Sequence, residues 1–402
     1  MRAGRWLALV PLLLGATSVA EEWPHWLGPR SDGSSTETAL TRPWPESGLH
    51  RVWTAPLGDG FASPIAVDGR VYVFHLRSGR EYVSVFDAAT GQPIWEQWDD
   101  GGWQGSYPGT RGTPAIDGKY LYTYGGAGDL TARMQANGLE IWRVNVLEAV
   151  GAKPLDWGVA SSPLVDGDVI YVQTGQGGPI AAAVKRSSGE VLWRSEVTGS
   201  AGYAPPILVT VGGARQLILS AAQQIVALNP ETGKKIWTAP FHIQIDVNAS
   251  TPIFRDGALF VTAAYNAGAA LLRVGPTGAD VAWKTKDLQG RFNPAVYDGG
   301  YLYLNSEGVV KCVNWKTGES AWEASEQDMR VGVGGSLVRV GDKLITLSDH
   351  GTLSLLSATP SGYHRISQFS ATKGTEVWAT PLLYRNRIYV RGEKDLTAWE
   401  VP

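Results

Sequence analysis

Arg111, Arg291 and Arg330, together with Trp157, Tyr203 and Trp378, are the side chains of this sequence best suited to holding a ligand. A guanidinium offers a carboxylate a planar fork of donors. Indole and phenol rings stack on planar or sugar-like molecules and attract cations. Tyr107 stands just ahead of Arg111, Asp156 ahead of Trp157, and Asn293 just after Arg291. Asp246 and Asn248 carry oxygens of the kind Ca2+ accepts, but two oxygens so close in the chain fall short of a coordination shell, and no metal site is expected. No catalytic residues are assigned. The histidines at 25, 50, 75, 242, 350 and 364 are scattered, and none forms an HExxH pair. His350-Gly351 reads as a strand turn, and the GQGG at 175–178 follows a strand without opening a helix, so it is not a phosphate loop.

The candidates share a position in a repeating unit. ASPIAVDGRVYVF from Ala62 recurs as GTPAIDGKYLYTY from Gly112, SSPLVDGDVIYVQ from Ser161, STPIFRDGALFVT from Ser250 and FNPAVYDGGYLYL from Phe292, with a further copy from Ala204. Trp95, Trp142, Trp193, Trp237, Trp283 and Trp322 close successive units at intervals of 47, 51, 44, 46 and 39 residues. That period is the length of a four-stranded propeller blade. Apolar residues alternate with period 2 between the turns, as in strands. Asp-Gly at 68–69, 117–118, 166–167, 256–257 and 298–299 predicts two-residue type I′ hairpins. The unit from Gly335 is degenerate, with Ile366 where the closing Trp is expected, and the unit from Ala379 runs out of chain at Pro402. Ser47-Gly48 followed by HRVW to Trp53 supplies the missing last strand from the front of the chain. Seven whole units and one split unit predict an all-β, eight-bladed propeller with four-stranded antiparallel blades, its ring closed by the N-terminal strand. The closing tryptophans are expected to be scaffold, wedged between blades. The loops leading into the first strand of each unit then converge on one mouth of the central channel. There Tyr107, Arg111, Asp156, Trp157, Tyr203, Asp246, Asn248, Arg291, Asn293, Arg330 and Trp378 are the ligand-binding candidates. The alternative is that these loops are polar because they meet water and that the arginines pair with nearby acids.

The closing segments VFDAATGQPIW, ALNPETGKKIW and CVNWKTGESAW resemble the tryptophan-docking motif of quinoprotein propellers. WPHWLGPRSDGSS at 23–35, DVNASTPIF and GAALLRV also resemble secreted PQQ-like repeat proteins, and the resemblance runs from Trp23 to Trp399. It implies the propeller fold and leaves function open. Quinoprotein alcohol dehydrogenases hold pyrroloquinoline quinone (PQQ) and Ca2+ on such a propeller, whereas the outer-membrane assembly factor uses it as a non-catalytic scaffold for protein partners. The chain departs from the dehydrogenases in having one cysteine, hence no adjacent-cysteine disulfide, and no Glu, Asn and Asp set matching their calcium ligands. It departs from the assembly factor in having no cysteine to acylate. The expectation is a binding or scaffold module of the cell envelope with a protein or polysaccharide partner and no cofactor. The alternative is a quinoprotein oxidoreductase that binds PQQ and Ca2+ at the channel mouth and oxidises alcohols or sugars.

Composition sets the remaining bounds. The 402 residues carry 35 Lys+Arg against 38 Asp+Glu, a formal net charge of −3, with 17 Trp and 49 Gly. No basic run is present to bind nucleic acid. Residues 1–20 read as a Sec signal peptide: Arg2 and Arg5, an apolar stretch from Trp6 to Ala16, then small residues at Ser18 and Ala20. This stretch is short for a membrane span, so a mature chain without a transmembrane segment is expected. It comprises an arm at 21–46 and the propeller at 47–402, periplasmic or extracellular and monomeric. Cys312, in an apolar alternating run, is expected to be a buried structural thiol.

Overall fold

The computed structural model describes residues 21–37, 40, 42–324 and 330–402. The expected signal peptide at 1–20 lies outside the described residues. Eight blades are present, each a four-stranded antiparallel sheet whose first strand lies at one side, an edge in every blade but the seventh. Those first strands are Ile65–Val67, Ala115–Asp117, Leu164–Asp166, Ile207–Val211, Ile253–Arg255, Val296–Asp298, Ser336–Val340 and Leu382–Tyr384, which open blades 1 to 8 in turn. In blade 8 the fourth strand is His50–Pro56, paired antiparallel with Asp395–Glu400. The ring therefore closes through the front of the chain, as the split eighth unit requires. The one described helix is the single turn Val146–Val150, capped by the Asn145 side chain, which accepts from the Glu148 N–H.

Apolar residues are buried between blades rather than in one central mass. One layer joins Tyr122, Leu130 and Ala132 of blade 2 to Ile170, Val172 and Val184 of blade 3. Another joins Ile218 and Ala227 of blade 4 to Leu259 and Val261 of blade 5. A single blade cannot bury both faces of its sheet, so each depends on its neighbours. The closing tryptophans make that dependence specific. The indole N–H of Trp95, Trp142, Trp193 and Trp283 donates to the carbonyls of Gln135, Arg186, Pro230 and Trp315, which occupy equivalent turns of the next blade. At the glycines of those turns, 138, 189, 233 and 318, a Cβ would lie 2.5 to 2.7 Å from the incoming ring. Trp237 reaches blade 5 indirectly. Its N–H donates to Gln216 Oε1, and the Gln216 amide donates to the Gly275 carbonyl. Cys312 is fully buried, and burial pushes its thiol up to about 11.

Two local expectations are corrected. The Asp-Gly hairpins at Asp68-Gly69 and Asp256-Gly257 have both central residues at positive φ, as type I′ requires. At Asp117 and Asp166 the Asp is still in strand register, opposite Tyr120 and Val169, so Gly is the first loop residue and it alone takes positive φ. That is the type II′ arrangement. In blade 7 the place of the missing tryptophan is taken by Phe369, not Ile366. The Phe369 ring lies 2.8 Å from where a Cβ on Gly48 would stand, and it meets Trp44 and Trp399 edge-on. Phe369 is partly buried, so Phe369→Ala is expected to cost about 2–3 kcal/mol of stability, below the range for a fully buried Phe. Ile366 is partly buried too, but Ile366→Ala removes a smaller side chain and no ring contact with Gly48, and should cost less. Urea unfolding of the two variants side by side measures the difference, and equal costs would contradict this packing.

The arm at 21–37 threads the ring on the face opposite the predicted mouth. Trp23 bridges Ala66 of blade 1, the Ile116 N–H of blade 2 donates to the Pro24 carbonyl, and Trp26 Nε1 donates to Thr251 Oγ1 of blade 5 at 2.9 Å. Ser34–Ser35 then adds a parallel strand to blade 7. The arm thus crosses the channel, and Trp26 faces both the cavity above it and the one below.

Candidate functional site at the channel mouth

All eight loops that lead into the innermost strands contribute to one cavity of about 330 Å3. A simple register explains how they converge. Seven units open on a Ser/Thr-Pro, Asn-Pro or Pro-Pro pair and the seventh blade on Ser336-Leu337, and the residue three places before the second position of the pair is Phe61, Arg111, Ala160, Tyr203, Ala249, Arg291, Gly334 or Trp378. Seven of these line the cavity, and in blade 7 Val333 replaces the glycine. The backbone just before the innermost strand is held to the ring, so this position points inward. The Phe61 and Ala62 N–H groups donate to the Thr110 carbonyl of the next loop, and those of Tyr203 and Ala204 donate to Asn248.

Of the sequence candidates, Tyr107, Arg111, Trp157, Tyr203, Arg291, Asn293 and Trp378 come together around the cavity. Asp156 and Asp246 do not line it. They are exposed, and their carboxylates accept from the amides of Gln176 and Gln223. Asn248 is buried, with its amide donating to the Ala221 carbonyl. Arg330 opens the short strand Arg330–Gly332, and its side chain lies outside the described residues. Asn293 is at the wall but occupied: its amide donates to the Gly334 carbonyl and its Oδ1 accepts from Thr380. Four lining aromatics went unmarked in the sequence: Trp26, Phe61, Tyr265 and Phe292. The register above would have found Phe61. Tyr265 comes from a hairpin turn of blade 5, and Trp26 from the arm, where no periodic signal exists.

Trp378 organises one wall. It stacks on Phe61 at 4.8 Å between ring centroids and packs against Phe292 at 4.9 Å and Tyr107 at 5.5 Å. Trp157 and Tyr203 meet edge-on at 6.0 Å, and Trp26 lies at the arm side. Gly334 makes room for this wall, because a Cβ there would sit 2.0 Å from Trp378 Cδ1. Gly334→Ala is accordingly expected to displace the indole at a cost of about 1–3 kcal/mol. A changed near-UV circular dichroism spectrum with a lower melting temperature would register it, and an unchanged spectrum would contradict the packing.

The two arginines differ in charge balance. Arg291 donates to Glu307 at 2.8 Å and to the Tyr265 hydroxyl at 3.2 Å, and lies over the Tyr265 ring. Arg111 donates only to the backbone carbonyls of Ser106, Tyr107 and Gly109, with Phe61 5.6 Å away. Burial pulls the Arg111 guanidinium down to about 10. Burial also raises the Tyr203 phenol above its usual range. No Asp or Glu is among the described residues that line the cavity. None of the described residues forms a group of three or more metal-ligating side chains, and no described helix is long and apolar enough to cross a membrane.

Comparison with known proteins agrees with this architecture. No curated protein sequence matches the chain. Among solved structures, BamB from Moraxella catarrhalis superposes with a TM-score of 0.64 at 21% identity, over 88% of this chain and 97% of that one. Quinohemoprotein alcohol dehydrogenase from Comamonas testosteroni gives 0.65 at 15% identity, over 94% and 80%. Quinohemoprotein alcohol dehydrogenase ADHIIG from Pseudomonas putida HK5 gives 0.67 at 13% identity, over the same shares. At such identities these likenesses establish the fold alone. Residues 79–324 match the PQQ-like family model described as outer membrane protein assembly factor BamB, and with more than half of its length matched the chain belongs to that family.

Proposed function

We propose that this propeller is a non-catalytic binding module of the cell envelope, which grips part of a polysaccharide or protein partner in the mouth cavity. The supporting observation is the lining itself: eight aromatic side chains and two arginines, with no acid among the described residues. Such a surface supplies stacking faces and cationic donors, the ingredients of recognition. It lacks the paired acid and base that bond cleavage draws on. Membership in a family described as an outer-membrane assembly factor supports the envelope setting. The ring closes within one chain, and a monomeric mass is expected in light scattering.

The likeness to quinohemoprotein dehydrogenases raises a quinone with its calcium ion. A calcium ion takes six or more oxygen ligands, carboxylates foremost. Among the described residues the cavity offers no carboxylate, and the Asn293 amide oxygen is already taken by Thr380. The residues present do not fit that pair, and no redox step is derived through it.

Two measurements on the purified protein test the reading. Affinity electrophoresis in gels containing envelope or plant polysaccharides should retard the wild type, and Trp157→Ala and Trp378→Ala should run freely. Incubation with PQQ and Ca2+ should give neither a bound quinone spectrum nor dye reduction with alcohols or sugars. Tight quinone absorbance with turnover would overturn the proposal.

A further inference from the structure

We infer that the mouth cavity recognises a hydroxylated ring bearing one carboxylate, a hexuronate residue of an acidic glycan. The inference rests on the binding reading above and specifies its ligand. It begins with charge. Arg291 is neutralised by Glu307, whereas Arg111 forms no ion pair among the described residues. The groups whose charge Arg111 feels are Tyr203, neutral at ordinary pH, and Glu81, which burial holds up to about 7. Among the described residues the cavity therefore carries one unbalanced cation inside a mostly aromatic wall, where a charge is costly unless paired. Backbone carbonyls hold Arg111 in place from one side and leave guanidinium N–H groups without an acceptor. A single carboxylate is the complement of that arrangement.

The rest of the lining selects the ring. The Tyr203 phenol, raised by burial, stays protonated, and the Tyr265 hydroxyl accepts from Arg291. Each therefore keeps its own proton to donate. Aromatic faces interspersed with hydroxyl donors suit the apolar face and the hydroxyl rim of a pyranose. The volume of about 330 Å3 is at the small end for a ligand pocket, which fits one sugar residue seated from a chain that continues into solvent. A flat aromatic acid shares the charge and the stacking but makes no use of the hydroxyl donors.

The experiment uses the mature chain with trisaccharides of galacturonate and of glucuronate, their carboxyl-reduced neutral counterparts, and naphthoate. Binding is followed by tryptophan fluorescence and calorimetry. An acidic trisaccharide should bind about tenfold or more tightly than its neutral counterpart, the scale set by one charge-assisted contact. Arg111→Gln should erase that preference, whereas Trp378→Ala should weaken acidic and neutral sugars alike. The wild-type comparison needs no variant, so it decides the matter even if Arg111→Gln unfolds, and Arg111→Lys offers a charge-preserving check. Equal binding of neutral sugars, or binding of naphthoate alone, would overturn the hexuronate assignment; if that binding were lost in Trp378→Ala, the mouth-binding reading would stand. Absence of binding by every probe would also overturn the assignment, with the polysaccharide gels judging the broader reading separately.

Discussion

Trp53→Ala is expected to lower the unfolding free energy by about 3–5 kcal/mol, the range for deleting a large buried aromatic. Trp53 stands on the strand His50–Pro56, the element that joins the two ends of the chain. Its ring packs against Tyr389 at 5.7 Å and Phe86 at 6.2 Å, and its N–H donates to the Ala88 carbonyl of blade 1 at 3.1 Å. The same carbonyl accepts from the Tyr389 hydroxyl and from Arg387, both of blade 8. Removing the indole therefore leaves a gap at the seam where strands from opposite ends of the chain complete blade 8, and opening it would expose two sheet edges. Trp283→Ala, mid-chain, removes a similar ring but leaves the seam intact. Urea denaturation should show the loss in both. Limited proteolysis should nick Trp53→Ala near the seam and spare Trp283→Ala. A cost below about 1 kcal/mol for Trp53→Ala would refute ring closure as a major source of stability.

Glu81→Gln is expected to stabilise the protein above neutral pH. Glu81 lies between blades 1 and 2, 6% exposed, where Oε1 accepts from the Gly126 N–H at 3.0 Å. Burial pushes its carboxyl from the ordinary 4.5 up to about 7, against the opposing effect of backbone donors at Gly126 and Trp103. The unfolded chain releases this proton near pH 4.5, whereas the folded chain keeps it until about pH 7. Between those values the folded state binds more protons, so this group's contribution falls as pH rises and levels off beyond pH 7. The whole window is worth roughly 3 kcal/mol. Gln retains the acceptor for Gly126 without the ionisation, so the variant should gain on wild type as pH climbs from 5 to 8. Unfolding free energies that run parallel with pH in the two proteins would contradict a buried, proton-holding Glu81. The carboxyl also feels Arg111, which links this titration to the charge at the mouth.

Much of the molecule was legible before any coordinates. The blade number, the closing strand ending at Trp53 and the scaffold role of the repeated tryptophans follow from a period of about 45 residues and from turns of fixed chemistry. Both are local patterns repeated often enough to be unmistakable. The loops that precede each opening pair also drew attention to Arg111, Tyr203, Arg291 and Trp378, side chains that the structure brings to one cavity.

Other features depended on contacts between residues far apart in the chain. Phe369 replaces the seventh tryptophan from three residues further along its strand, because what matters is the ring that reaches Gly48, not its place in the repeat. Asp117 and Asp166 remain in strand register, which changes the turn that follows. Trp26 reaches the cavity through a hydrogen bond to Thr251, 225 residues away, on an arm with no repeat of its own. Most consequential is the charge balance. As sequence, Arg111 and Arg291 occupy the same position of the same unit. Only the folded ring sets Glu307 against Arg291 and surrounds Arg111 with carbonyls, since pairing depends on which hairpin tips meet. The sequence by itself determined the ring and the loops that lead into its blades, because both repeat with the unit. The tertiary structure decided that the arm crosses the channel below the cavity and which of the cavity's two described arginines lacks a carboxylate partner.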